Sequence, residues 1–379
     1  MRKVIKFVNP VKLKESISTL NKFLKKKNNL HGPDEYTQKI KQLLNRKYGF
    51  KNSFLTNSCT SALEICSIVI NFKNGDEVIM PSYTFITTGA SFARTKAKIV
   101  YCDIEDKNLM PSFNDILKKI TKRTKAIVII HYQGFCVDYL EKLKKLCNRK
   151  GIILIEDAAQ ALGSKYKNKY LGKFGDFACF SFHHTKNIHS GIGGCLVVNN
   201  PTFYKKSIFA YDKGSDRSLQ QKKIVKWYSW VSLGSSFLMS ELHAAYLYPQ
   251  LKSYNSIIFK RKNIYEEYLK ELDFKNENFY LVKNFTCNEF NYHGLVLVLK
   301  NLNYEKFIDY LKKFNIYAFI GYIPLHVSPY GKKYLKRNQK IKVTNKIFDR
   351  IVRLPIHTDL NIKDIRYVSN KVKEFFKTF

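Results

Sequence analysis

At 379 residues, 45% of them hydrophobic and 25% charged, the chain can bury a substantial core and is too long for one ordinary domain. The net charge of +36 comes from lysines spread along the whole sequence among Asn, Ile, Phe and Tyr, without a basic helix or stacking motif. That distribution argues against nucleic-acid binding and leaves a diffuse positive field suited to anionic small molecules, sugar nucleotides included.

Residues Met1 to Val8 lack an apolar stretch long enough for a signal peptide, and no apolar run approaches the roughly 18 residues of a membrane helix. A soluble, cytoplasmic protein is expected. Lysine-rich residues 11–30 carry Ile17, Leu20 and Leu24 at helical spacing and predict a surface helix. His31-Gly-Pro-Asp34 breaks it, and a second helix follows over 35–48. From Phe54 a short strand runs into the hydroxyl-rich turn Ser58-Cys-Thr-Ser61 and a helix beginning near Thr60. Free N–H groups and hydroxyls at a helix start suit a phosphate. An isolated motif of this kind is more commonly an ordinary N-cap.

Gly75 to Phe85 reads as a turn, a strand and a loop bearing Tyr83 and Phe85, rings that could stack on a planar cofactor or simply pack. Continuous apolar strands at 98–103, 125–131 and 152–157 alternate with helical segments near 112–120 and 137–150. They predict a mostly parallel α/β sheet, extended by strands near 177–182 and 195–198. Residues 201–235 show few regular signals and read as a long polar and aromatic loop. A helix from Met239 then leads to a C-terminal region with a strand at 294–300 and amphipathic helices at 304–314 and 363–377. The expected division is a large domain over 1–245 and a small α+β domain over 246–379. The eight cysteines contain no C-x-x-C pair and several lie in apolar runs, the pattern of reduced core thiols and not of a disulfide frame or metal site.

Two stretches carry chemistry. Cys179, Phe180 and Phe182 predict a buried strand, after which His183, His184, Thr185 and Lys186 arrive together, ahead of the turn Gly191-Ile-Gly-Gly194. A lysine just past a buried strand can form an imine with a carbonyl compound, best where desolvation or a nearby cation lowers its pKa. Upstream, the apolar strand from Gly151 ends on Glu156 and Asp157. A carboxylate at a strand's C-terminal end faces the crevice where α/β folds bind ligands. Lysine for an imine and aspartate for a pyridine nitrogen are the pair that pyridoxal phosphate (PLP) requires. Taken alone, a lysine after a strand in so lysine-rich a chain is an ordinary solvated loop residue.

The ordered set Ser58-Cys-Thr-Ser-Ala-Leu63, Gly75-Asp-Glu-Val-Ile-Met-Pro-Ser-Tyr-Thr-Phe85, Glu156-Asp-Ala-Ala-Gln160, Phe180-Ser-Phe-His-His-Thr-Lys-Asn187 and Tyr322-Ile-Pro-Leu-His326 resembles the DegT/DnrJ/StrS family of sugar-nucleotide aminotransferases over nearly the whole chain. The resemblance implies the type I PLP (aspartate aminotransferase-like) fold, with a mostly parallel-sheet large domain and a smaller C-terminal domain, and pyridoxal 5′-phosphate as cofactor. It implies Lys186 as the lysine that joins the cofactor and shuttles protons, Asp157 at the pyridine nitrogen and Gln160 at the 3-hydroxyl. Thr60, Ser61 and Ser181 would bind the phosphate, and Phe85 would stack on the ring. Tyr83, His184, Arg217 and His326 are substrate-side candidates, His326 being equally readable as a structural hydrogen-bond donor. The loop around 213–236 would cross into a partner subunit's site, so a homodimer is expected.

Phe182-His183, the run Gly234 to Tyr246, and Tyr322 to His326 resemble most the subgroup that makes dTDP-4-amino-4,6-dideoxygalactose from dTDP-4-keto-6-deoxyglucose, with glutamate as amino donor. His184 departs from the subgroup's glutamate, and Ser236 stands where the wider family has an asparagine reaching the partner's cofactor. An aminotransferase acting at C3 or on a UDP-linked keto sugar remains an alternative. More distant are a non-enzymatic PLP-binding protein and a basic nucleic-acid-binding protein. Relatives with histidine at the lysine position act as dehydratases, and Lys186 argues against that class.

Overall fold

The computed structural model describes residues 3–26, 29–272, 277–283, 286–336 and 339–378. Its centre is a seven-stranded sheet in the order Ser53–Thr56, Gly194–Val198, Phe177–Ser181, Ile153–Asp157, Thr124–Ile130, Glu77–Pro81 and Lys98–Cys102. Gly194–Val198 runs antiparallel to both its neighbours, and the pairings from Phe177–Ser181 to Lys98–Cys102 are all parallel. Parallel strands are buried on both faces, which is why these runs read as continuous Ile and Val and not as an alternation.

The period of two still decides which side chain goes where. Ile79, Val100, Ile127, Ile129 and Leu154 pack under helices Glu35–Tyr48, Leu140–Lys150 and Glu241–Lys252. Val78, Met80, Ile99, Val128 and Ile155 pack under Cys59–Ile70 on the opposite face. Each such side chain taken fully out of water contributes about 1.5–3 kcal/mol.

The C-terminal region forms a four-stranded antiparallel sheet in the order Phe279–Leu281, Leu295–Leu299, Ile351–Leu354 and Phe319–Ile320. Helices Tyr254–Glu271, Tyr304–Lys313 and Ile362–Thr378 close a separate apolar core with it. The chain's N-terminal segment belongs to this core, because Ile5 bridges Ile316 and is itself buried there.

Several expectations need correction. The first helix spans Lys14–Lys25, and residues 27–28 of the expected range lie outside the described residues. Residues 201–235 are not all loop: helix Tyr204–Tyr211 and the short helix Arg217–Gln221 form within them. Helix Ile86–Ala93 was not anticipated, because its two threonines, glycine and serine have weak helical preference. Burial of Thr88, Ser91 and Phe92 supplies what local propensity does not. The expected boundary at 245/246 falls inside helix Glu241–Lys252. We propose the boundary at Ser253, where the chain turns into helix Tyr254–Glu271.

Candidate active site

The C-terminal ends of the parallel strands open into a cavity of about 500 Å³. Strand Ile153–Asp157 delivers Asp157 to it and strand Phe177–Ser181 delivers Ser181. The following loop is closed by its own backbone: Phe182 N–H donates to the Gly193 carbonyl at 2.8 Å, His184 N–H to Gly191 at 2.8 Å and Lys186 N–H to His183 at 2.9 Å. Phe182, wholly buried, anchors this loop in the core, and Lys186 projects from it into the cavity. Thr60, Phe85 and Gln160 join the same wall, so six of the seven cofactor candidates meet in one space.

Burial pushes the Lys186 ammonium down to about 8, against the pull of Cys59 and Asp157 and with the help of the Arg353 charge. Asp157 is 5% exposed, and burial pushes its carboxyl above the usual range. Two donors work against that rise: the Thr88 hydroxyl bonds Oδ2 at 2.7 Å and the Ala159 N–H bonds Oδ1 at 3.2 Å. Gln160 is held at both ends of its amide, accepting the Gln133 N–H at 2.7 Å and donating to the Tyr322 hydroxyl at 2.7 Å.

Behind Asp157, Glu156 is fully buried yet forms a fixed anion. It accepts the Gly172, Phe174 and Gly175 N–H groups at 2.8, 2.7 and 2.6 Å, and pairs with His131 Nε2 at 2.9 Å. Burial works to raise its carboxyl, and the His131 and backbone bonds outweigh it, leaving the pKa below the usual value. An ionised carboxylate only accepts, so Nε2 carries the hydrogen. His131 Nδ1 is buried without a hydrogen-bond partner among the described residues, on a ring that lines the cavity.

Five candidates sit elsewhere. The Ser61 N–H and hydroxyl bond Ser58, at 3.0 and 2.9 Å, and the hydroxyl also bonds Asn57, so Ser61 secures the helix start while Ser58 lines the cavity. Tyr83 is 2% exposed and packs behind the wall, its hydroxyl meeting Tyr132 at 3.2 Å and the Tyr322 N–H at 3.3 Å. His184 is exposed against the His183 ring, and His183 is the one that lines the cavity. Arg217 rests near the Tyr228 ring, outside the cavity lining. His326 is buried between the Ser82 hydroxyl at 2.5 Å and Asn345 Oδ1 at 2.7 Å, the structural role left open for it by the sequence.

The sequence reading missed Thr88, His131, Gln133 and Arg353. His131 follows strand Thr124–Ile130 directly, and the strand-end argument used for Asp157 could have found it. Nothing in the local sequence marks Arg353.

The lysine, the buried carboxylate, the orphaned His131 nitrogen and the hydroxyl-rich helix start fit a planar, cationic, phosphorylated carbonyl compound. Fold and cavity together define a PLP-dependent enzyme of the type I fold. The family model for DegT/DnrJ/EryC1/StrS aminotransferases matches residues 11–373, and the chain belongs to that family. It is similar to an uncharacterized protein of Methanocaldococcus jannaschii, 30% identical over 347 residues and covering 89% of each chain. It is also similar to the GDP-perosamine synthase of Escherichia coli O157:H7, 28% identical over 344 residues and covering 90% of each. Among solved structures, the PLP form of a putative sugar aminotransferase of Streptococcus pneumoniae superposes with a TM-score of 0.85 at 25% identity, covering 98% of this chain and all of that one. The chain is therefore a PLP-dependent sugar aminotransferase. No helix among the described residues is long and apolar enough to cross a membrane.

Proposed function

We propose that the enzyme transfers an amino group from glutamate to the ketone of a nucleotide-linked keto-deoxysugar, with dTDP-4-keto-6-deoxyglucose as the substrate and dTDP-4-amino-4,6-dideoxygalactose as the product. The observation that carries the transamination is the meeting of Lys186 and Asp157 in one cavity, the lysine depressed to about 8. The dTDP assignment rests on the subgroup motifs around Phe182, Gly234 and Tyr322. The names of the two GDP-perosamine synthases among the relatives favour a second reading, a GDP-linked keto sugar.

When bound, PLP supplies an electron sink for the charge left as a proton leaves the carbon bearing the amine. In this reading Asp157 holds the pyridine nitrogen protonated, with Thr88 fixing the carboxylate that does so. Gln160, clamped by Gln133 and Tyr322, would hydrogen-bond the 3-hydroxyl. Thr60 and Ser181 take the phosphate at the start of helix Cys59–Ile70, where free N–H groups favour an anion. Phe85, 53% exposed and lining the cavity, would stack on the ring. Lys186 Nζ takes the proton from the donor's α-carbon and later delivers one to the sugar carbon that becomes the amine. A pKa near operating pH lets one amine act as base and acid.

The loop over 213–236 supports a homodimer with shared sites. Its backbone is tied down, Asp216 accepting the Ser229 N–H at 2.6 Å and Gly214 accepting those of Val231 and Ser232 at 2.9 and 3.0 Å. Yet Ile224, Trp227, Tyr228, Trp230 and Leu233 all stand exposed, Trp230 at 80%. An ordered loop that presents large apolar side chains is a surface built for association. Incubation with glutamate and each of the dTDP-, UDP- and GDP-linked 4-keto-6-deoxy sugars, read by mass spectrometry, tests the substrate. Amination of the dTDP sugar alone is expected, and amination of only the GDP sugar establishes the second reading instead.

A further inference from the structure

Asp157 shares its strand end with a second acid. Glu156 and Asp157 are consecutive and both buried, their Cα atoms about 3.8 Å apart. Two carboxylates so placed disfavour each other's ionisation. The strand's period of two puts Glu156 on the Leu154 side of the sheet and Asp157 on the Ile155 side, toward Thr88. Their partners differ in kind. Asp157 is bonded by two neutral donors, the Thr88 hydroxyl and the Ala159 N–H. Glu156 meets the His131 ring, whose Nε2 stands 2.9 Å from Oε2 with both side chains wholly out of water.

The sheet itself places His131 there. Strand Thr124–Ile130 ends on Ile129 and Ile130, the register partners of Glu156 and Asp157, and His131 follows directly. Its N–H donates to the Asp157 carbonyl at 3.0 Å, so one residue is tied to both acids. The Gly172, Phe174 and Gly175 N–H groups solvate the Glu156 carboxylate without cancelling its charge. Among the described residues bonded to Glu156, His131 is the one that can bring a positive charge. Burial raises the Asp157 carboxyl, the Thr88 and Ala159 bonds lower it, and the Lys186 and His131 charges lower it further. Burial keeps the nearby Cys59 thiol protonated. Lys186 gains and loses its proton during the reaction, so His131 is the charge that can stay.

We propose that His131 is a positioning residue for the pyridine nitrogen: as an imidazolium it neutralises Glu156, and so leaves Asp157 as the one uncompensated carboxylate facing the cofactor ring. The inference rests on the cofactor reading above. Without that neutralisation, a fixed anion one residue away would favour a protonated Asp157. A protonated Asp157 cannot hold a proton on the ring nitrogen, and a neutral ring is the poorer electron sink. His131 thus acts through Glu156 and Asp157, and not on the reacting atoms.

PLP isotopically labelled at the ring nitrogen, bound to the enzyme, reports that nitrogen's proton by nuclear magnetic resonance. Wild type should show it protonated. His131→Gln keeps a donor to Glu156 and removes the charge. It should move the resonance toward that of a neutral pyridine and weaken PLP binding on the order of 10-fold, the equivalent of one pKa unit. Adding Glu156→Gln removes the charge that His131 offsets and should restore both readings. A merely structural His131 would change the thermal stability of these variants without moving the nitrogen resonance. A His131→Gln enzyme whose ring nitrogen stays protonated overturns the proposal. So does a double variant as defective as the single one, which would assign His131 Nδ1 to direct contact with the cofactor. In the cofactor-free proteins, titration of the labelled Asp157 carboxyl carbon decides the same point without PLP: its pKa should rise in His131→Gln and return in the double variant. If wild type takes up no PLP, the cofactor reading fails, and that titration still decides whether His131 acts on Asp157.

Discussion

Lys186 is held where an ammonium is unfavourable, and that is a statement about stability as well as catalysis. Its pKa falls from 10.5 to about 8 on folding, so between those values the unfolded chain binds more protons and stability rises with pH. Below about pH 8 the penalty is fully present. Replacing Lys186 with Met should therefore stabilise the cofactor-free protein at pH 7, by up to ~3 kcal/mol, with a gain that fades toward pH 10.5. Thermal denaturation at pH 7 and pH 10 measures this, and a gain independent of pH would contradict it. In the cofactor-free protein, the reaction of Nζ with added PLP should accelerate with pH through about 8 as the amine loses its proton. Thr88→Val removes the 2.7 Å bond to Asp157 Oδ2 and should weaken PLP binding roughly 10-fold, read by equilibrium titration of the cofactor. The cavity position of Asp157 was legible because a charged residue at the end of an apolar strand has few places to go, and that of Lys186, five residues past its strand, only through the motif Phe180 to Asn187. Ser61 and His326 were placed in the site by their motifs, but a motif does not say which way a side chain points, and neighbouring Ser58 and Ser82 captured both. Arg353 carries no local signal, since its partners Phe7, Phe319 and Tyr322 are brought to it only by the fold.

Elements were legible in proportion to their apolar periodicity. The parallel strands and the amphipathic helices Glu35–Tyr48, Leu140–Lys150 and Ile362–Thr378 formed close to where their patterns place them. Ile86–Ala93 and Tyr204–Tyr211, eight residues each, are held by tertiary burial that no local pattern announces. Long-range capping was equally hidden. Helix Glu35–Tyr48 begins after Asp34, whose side chain makes no capping bond. Glu241, wholly buried and distant in sequence, instead accepts the N–H groups of Asp34, Tyr36 and Thr37 at 2.8, 2.7 and 3.0 Å. These are the donors a helix start leaves unpaired, so Glu241 welds two helices on one face of the sheet. Glu241→Ala should destabilise the protein by about 3 kcal/mol, and Glu241→Gln by less, in chemical denaturation. Equal losses for both would show that the carboxylate's hydrogen bonds are not what matters.

At the scale of the whole molecule, strand–helix alternation up to Val198 made the parallel sheet legible, and the type I fold was implied by the resemblance that the ordered motifs carry. The N-terminal segment could not be assigned from sequence, because its contacts with the small domain, Ile5 with Ile316 and Phe7 with Phe319 among them, are made only by the fold. The chain's only two tryptophans, Trp227 and Trp230, both stand on the exposed loop, so tryptophan emission reports that loop alone. A homodimer sealed there predicts a red shift of emission on dilution, and Trp230→Glu should give a monomer by light scattering. A wild-type chain that is monomeric at all concentrations would contradict shared sites. The most direct test of the central claim is the absorption spectrum of the purified protein with PLP, recorded before and after glutamate. The account predicts a visible band that disappears with glutamate and returns with the keto sugar nucleotide, and that never forms in Lys186→Ala. A wild-type protein that shows no such band after incubation with PLP, or a Lys186→Ala variant that keeps it and its glutamate response, would contradict the assignment.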